Sequence, residues 1–131
     1  MNSSPVPRLN AAAHAACCQR MSLSALSRRA RRVRELYAKL EIQRGGRPWS
    51  RAELAQGFVG DVGDLMKLLM AKDGRRPAAQ LDAKLAHEFG DCLWCLLVLA
   101  EASDVDLAKA FNATMDELEL RLAPKKRTKK R

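Results

Sequence analysis

Two pairs of carboxylates carry the most chemistry in this sequence: Asp61 and Asp64 within Gly60-Asp-Val-Gly-Asp-Leu65, and Glu88 and Asp91 within His87-Glu-Phe-Gly-Asp-Cys92. Each pair is spaced i, i+3, which on a helix puts both groups on one face with Cβ atoms about 5–6 Å apart. Asp61 and Asp64 flank the apolar positions Val62, Leu65 and Leu68, and Glu88 and Asp91 flank Leu85, Phe89 and Cys92. Packing the two helices by those stripes gathers four carboxylates at one seam. Four like charges in a half-buried place are costly unless protons or a divalent cation neutralise them. All-oxygen ligation of this kind suits Mg²⁺ or Mn²⁺ and does not suit zinc. A solvated acidic face has the same spacing, and periodicity alone leaves both readings open.

Other residues bear on the same chemistry. Gly57, Gly60 and Gly63 recur inside the second helical segment and Gly90 inside the third. Each costs a helix about 1 kcal/mol relative to Ala, which is tolerated where another helix or a ligand must approach the backbone. Lys67, Lys72, Arg75 and Arg76 are candidates to meet phosphate charge, or are plain exposed cations at a helix end. Trp49 and Trp94 are flat surfaces on which a base can stack, or core and interface residues. His87 points about 100° away from Glu88 and suits a supporting or surface role better than catalysis. Cys92 and Cys95 form C-x-x-C in mid-helix, without the helix N-terminus that lowers a thioredoxin-type thiol pKa. The adjacent Cys17 and Cys18 have the wrong spacing to complete a zinc knuckle. Buried thiols are the plain reading, and nothing indicates an oxidising compartment.

The elements that must position these groups are all helical. A first helix is expected from about Ser22 to Gln43, with Leu26, Val33, Leu36, Tyr37 and Leu40 on its stripe, closed by Gly45-Gly46-Arg47-Pro48. The second opens with the capping box Ser50-Arg-Ala-Glu53 and runs to about Ala71, with Leu54, Phe58, Val62, Leu65 and Leu69 inward. The third spans about Gln80 to Ala102, with Leu81, Leu85, Phe89, Cys92, Leu96 and Leu97 inward. The fourth follows Ser103-Asp-Val-Asp106 and carries Leu107, Phe111, Met115, Leu118 and Leu122. Connections of about 5–10 residues suit antiparallel neighbours. The fold class is therefore all-α, an antiparallel four-helix bundle-like domain over residues 22–123.

Charge divides the chain differently from its total of +9. Residues 1–34 carry seven Arg and no acid, and residues 125–131 carry six Lys or Arg and no acid. Residues 35–124 hold eleven bases against all fifteen acids, a net of −4, so the domain is mildly acidic and only its ends are basic. Residues 1–21 read as a disordered extension and 124–131 as a basic disordered tail. Through these ends alone the chain offers weak affinity for nucleic acid. The start is a poor secretory signal; it has the Arg- and Ser-rich character of a transit peptide, and Met21 is an alternative natural start. No apolar run approaches the roughly 20 residues of a membrane span. A cytoplasmic location is expected.

From Trp49 to about Leu122 the sequence resembles the MazG-like, all-α NTP pyrophosphohydrolases, which include the dCTP pyrophosphatases. That family has E-E-x-x-E on one helix and E-x-x-D on the next. Here Gly60-Asp61-Val-Gly-Asp64 stands in the first place and Glu88-Phe-Gly-Asp91 matches the second. The Val-Gly-Asp-Leu context, the Asp-Cys-Leu-Trp run and Val105-Asp106-Leu107 resemble the family as well. The resemblance implies the all-α NTP pyrophosphatase type of fold and Mg²⁺-dependent hydrolysis of an NTP or dNTP to the monophosphate and pyrophosphate, in nucleotide-pool house-cleaning. It implies Asp61, Asp64, Glu88 and Asp91 as metal ligands and catalytic groups, and assembly as a homodimer or homotetramer. Trp49, Lys67, Lys72, Arg75, Trp94 and Arg121 are the expected substrate contacts. The sequence departs from the pattern at Gly60, where the family has Glu, and at Thr114 and Leu118, where family members often place Lys and Asn. The alternative those departures leave is a non-catalytic nucleotide- or protein-binding module.

Overall fold

Ser22 turns the chain into its first helix, where its hydroxyl accepts the Ala25 N–H. From there the computed structural model describes residues 22–124. The expected extension and all but Pro124 of the expected tail lie outside the described residues, as do Cys17 and Cys18. Four helices follow in order: α1 (Leu23–Gln43), α2 (Arg51–Lys72), α3 (Leu81–Glu101) and α4 (Leu107–Leu122), with no strand among the described residues. The protein is an all-α helical bundle. No helix among the described residues is long and apolar enough to cross a membrane.

The helix ends follow local chemistry. Ser50 and Glu53 form a reciprocal capping box at the start of α2, and Asp106 accepts the Lys109 N–H at the start of α4. The start of α3 has no side-chain cap; Gln80 adopts the left-handed conformation at φ 53° there. Gly45 at φ 79° and Gly74 at φ 73° follow α1 and α2, where a residue with a Cβ is strained.

Helices α2 and α3 pack most extensively on each other, and α1 packs against α3. The core joins Ala30 of α1, Leu54 of α2, and Leu97 and Val98 of α3, with Leu23, Leu26, Trp94, Leu99 and Leu107 around it. Several residues expected inward are exposed: Leu36, Tyr37 and Leu40 on α1, Val62 and Leu69 on α2, Phe89 and Leu96 on α3, and Phe111 and Leu122 on α4. The reason is that α2 and α3 each carry two apolar rows. The inward row of α2 runs through Leu54, Phe58, Asp61, Leu65 and Leu68, and that of α3 through Leu81, Leu85, Glu88, Cys92 and Cys95. The second rows, Val59, Val62, Met66 and Leu69 on α2 and Phe89, Leu93 and Leu96 on α3, face solvent, with Val59 71% exposed.

Candidate functional site

The inward rows of α2 and α3 contain carboxylates, and α1 closes a cavity above them. This cavity, of about 470 Å³, is lined by Arg34, Tyr37 and Glu41 of α1, Trp49 of the connecting loop, Asp61 of α2, and Asp91, Trp94 and Cys95 of α3 among others. Three aromatic residues thus meet three carboxylates, Glu41, Asp61 and Asp91, in one hollow. The Trp94 indole N–H donates to the Ala30 carbonyl at 3.2 Å, and its ring meets Tyr37 at a centroid distance of 5.6 Å, tilted by 54°. Trp49 lies against Gly57: a Cβ built there would sit 3.2 Å from Cζ3 of the indole, so the missing side chain is what admits the ring.

The four expected carboxylates are divided. Asp61 and Asp91, one from each pair, line the cavity, and Glu88 is half-buried in the same inward row of α3. Asp64 turns to solvent and pairs with Lys67 at 2.7 Å. Asp61 Oδ2 accepts the Cys95 thiol at 3.2 Å, and Asp91 Oδ2 meets His87 Nε2 at 3.1 Å, which gives exposed His87 a supporting place beside the cavity. Burial pushes the Cys95 thiol up to about 12, reinforced by its hydrogen bond to Asp61 and the charges of Asp61 and Asp91. Burial also raises Cys92, as do the negative charges of Asp61, Glu88 and Asp91 around it. Both cysteines are free and buried. They are protonated small hydrophobes, and the acidic groups converge on them.

Among the described residues, no three His, Cys, Asp or Glu side chains gather closely enough to hold a metal ion by themselves. Mg²⁺ commonly keeps several waters and takes one or two protein carboxylates together with substrate phosphates, and Asp61 and Asp91 are the two of the four expected carboxylates that line the cavity.

The expected phosphate contacts lie outside this hollow. Lys67 is on Asp64, Lys72 pairs with Asp82 at 2.6 Å, and Arg75 and Arg121 are exposed. None of the lining residues comes from α4. Thr114 donates its hydroxyl to the Ala110 carbonyl at 2.9 Å in its own helix, and Leu118 is half-buried. Among the described residues, Gly60, Gly63 and Gly90 have open space where a Cβ would stand, and of these four glycines Gly57 alone meets the expectation of a close approach.

Arg34, Tyr37, Glu41 and Cys95 were not expected at a site. For the first three the signal was available: positions 34, 37 and 41 share one face of α1, where two charged residues interrupt an otherwise apolar stripe. Comparison with protein-family models, curated proteins and solved structures finds no match to this chain.

Proposed function

We propose that the chain is a divalent-metal-dependent nucleoside triphosphate pyrophosphohydrolase, converting an NTP or dNTP to its monophosphate and pyrophosphate in the cavity between α1, α2 and α3. The observation that carries this reading is the meeting of Asp61 and Asp91, one from each acidic pair, with Trp49 and Trp94 around a single hollow. The motif resemblance from Trp49 to Leu122 supports it. Asp61 and Asp91 would hold Mg²⁺ or Mn²⁺ together with waters and substrate phosphates, with Glu88 nearby on α3. When bound, the ion supplies Lewis-acid charge to the phosphate oxygens. A carboxylate oxygen free of other partners accepts the proton of a water attacking the α-phosphorus. The bond from the α-phosphorus to the bridging oxygen breaks, and pyrophosphate leaves. The aromatic walls take the base. The role is nucleotide house-cleaning in the cytoplasm.

The second rows of α2 and α3, with Phe111, Leu120 and Leu122 of α4, leave large apolar side chains exposed. A homodimer or homotetramer that covers them is part of the same proposal, and a monomeric mass by light scattering at tens of micromolar counts against it. The main test is pyrophosphate release from canonical and modified NTPs and dNTPs with Mg²⁺ or Mn²⁺. No turnover on any of them removes the hydrolase reading. A non-catalytic nucleotide- or protein-binding module is the second reading. It is favoured by Gly60 and by the engagement of Lys67, Lys72 and Thr114 with partners outside the cavity. Calorimetry that finds nucleotide binding without turnover selects it, whereas turnover abolished by Glu88→Ala removes it.

A further inference from the structure

The loop that brings Trp49 to the cavity is gripped at both of its backbone polar groups by one helix. The Arg34 guanidinium donates through Nη2 to the Trp49 carbonyl at 2.7 Å, and the Trp49 N–H donates to Glu41 Oε2 at 3.1 Å. Arg34 and Glu41 meet each other at 3.4 Å, with only 17% and 20% of their side chains exposed. The flanks of Trp49 are tied to α2 instead. Arg47 makes a two-pronged contact with Glu53 at 2.8 and 3.0 Å, and the Ser50 N–H donates to Glu53 at 2.7 Å. Pro48 further narrows the conformations open to the loop. Seen from the cavity, Arg34 and Glu41 look like ligand-binding charges. Both Nη atoms of Arg34 and Oε2 of Glu41 are nevertheless engaged with Trp49 or with each other.

We propose that Arg34 and Glu41 are positioning residues that hold Trp49 as a fixed wall of the cavity and so set the affinity for a flat ligand. The inference rests on the reading of this cavity as the nucleotide site. Trp94, the other indole of the cavity, is also held, through its N–H and the Ala30 carbonyl. With both walls held before the ligand arrives, a stacking base does not have to order them, and that saving appears as affinity. Arg34 and Glu41 also offset each other's charge, which leaves Asp61, bonded to the Cys95 thiol, and Asp91, beside His87, as the acidic end of the cavity. A loss of either clamp residue therefore acts on binding through Trp49 and leaves the acidic end unchanged.

The test labels the full chain with 5-fluorotryptophan, whose two ¹⁹F signals are assigned with Trp49→Phe. Glu41→Ala and Arg34→Gln are expected to shift and broaden the Trp49 signal while the Trp94 signal stays in place. Glu41→Gln, whose amide oxygen still accepts the Trp49 N–H, is expected to restore it in part. With each of the four dNTPs and Mg²⁺, Glu41→Ala should raise KM about five- to tenfold with kcat changed less than about twofold, as expected for one charge-assisted hydrogen bond lost from ligand positioning. A Trp49 signal that is unchanged in both Glu41→Ala and Arg34→Gln overturns the proposal. So does Arg34→Lys weakening dNTP binding with the Trp49 signal in its wild-type place, because Arg34 then contacts phosphate directly. Thermal melting of every variant shows whether it folds, and the milder Arg34→Lys and Glu41→Gln carry the test if the others do not. A wild-type chain that binds no dNTP removes the functional reading and the affinity claim with it, whereas the ligand-free fluorine spectra still decide the clamp.

Discussion

Gly57 and Gly60 lie one turn apart in the interior of α2, and the same substitution should have different effects at the two positions. Replacing a helix-interior glycine by alanine removes backbone freedom from the unfolded chain and is worth about 0.8–1.0 kcal/mol. At Gly60 nothing lies within 4 Å of the added Cβ, so Gly60→Ala should deliver that whole gain. For a domain of this size it corresponds to a rise in Tm of roughly 4–8 °C. At Gly57 the same Cβ stands 3.2 Å from Trp49 Cζ3, closer than ordinary van der Waals contact. The Trp49 backbone is held by Arg34 and Glu41, so the ring must yield by rotating while its main chain stays put. Displacing it sacrifices dispersion contacts and cavity shape. Gly57→Ala should therefore gain about 1 kcal/mol less than Gly60→Ala, ending near zero or below it. The intrinsic helix term is common to both, so the difference between the two Tm values measures the contact with Trp49. Scanning calorimetry with matched protein concentrations is the assay. Equal gains at the two sites would refute the packing of Trp49 on Gly57. A loss at Gly60 would show that its surface is covered in solution, which a second copy of the chain would do.

Three further outcomes follow from the same geometry. Glu53 is held down to about 2 by its side-chain bond to Arg47 and by Ser50, below the usual carboxylate range. Its contribution is present above the unfolded-state value of about 4.5 and is lost as pH falls from there toward 2, so Tm should drop in that window and Glu53→Gln should flatten the drop. In a Cys17→Ala, Cys18→Ala background, the raised and buried Cys92 and Cys95 thiols should resist a disulfide reagent at pH 8 until the chain unfolds; rapid labelling of the folded protein would contradict their burial. Asp61→Asn should abolish metal-dependent turnover, whereas Asp64→Asn, which removes an exposed partner of Lys67, should lower it by less than about tenfold; equal losses would place Asp64 in the cavity after all.

How far the sequence carries can be argued element by element. Ser50 and Glu53, Gly45, Gly74 and Asp106 mark helix ends because their effects are local, and the helices begin and end within a residue or two of those marks. The inward faces were harder. On α3, Phe89 and Cys92 both fall in apolar rows with helical spacing, yet Cys92 is buried and Phe89 is 53% exposed. Periodicity shows which residues are apolar and cannot say which of two adjacent rows meets the neighbouring helix. That choice belongs to the packing of α2 on α3, and the surplus row belongs to whatever covers it.

The site divides along the same line. The i, i+3 spacing of Asp61 with Asp64 and of Glu88 with Asp91 was legible, and so was a seam between their helices. Which member of each pair turns inward was not, because a rotation of α2 by about 100° would exchange Asp61 for its neighbours, and that rotation is set by how α2 packs on α3, where Leu54 joins Leu97 and Val98. Arg34 and Glu41 were the larger omission. On α1 they look like surface charges, since a single helix gives no reason for i, i+7 partners to be half-buried. Their purpose is visible only when the loop returns and offers both the N–H and the C=O of Trp49 to them. A charged pair inside an apolar stripe, followed by a glycine-closed loop that ends in Pro-Trp, is therefore best read as a grip on that loop before it is read as a ligand contact.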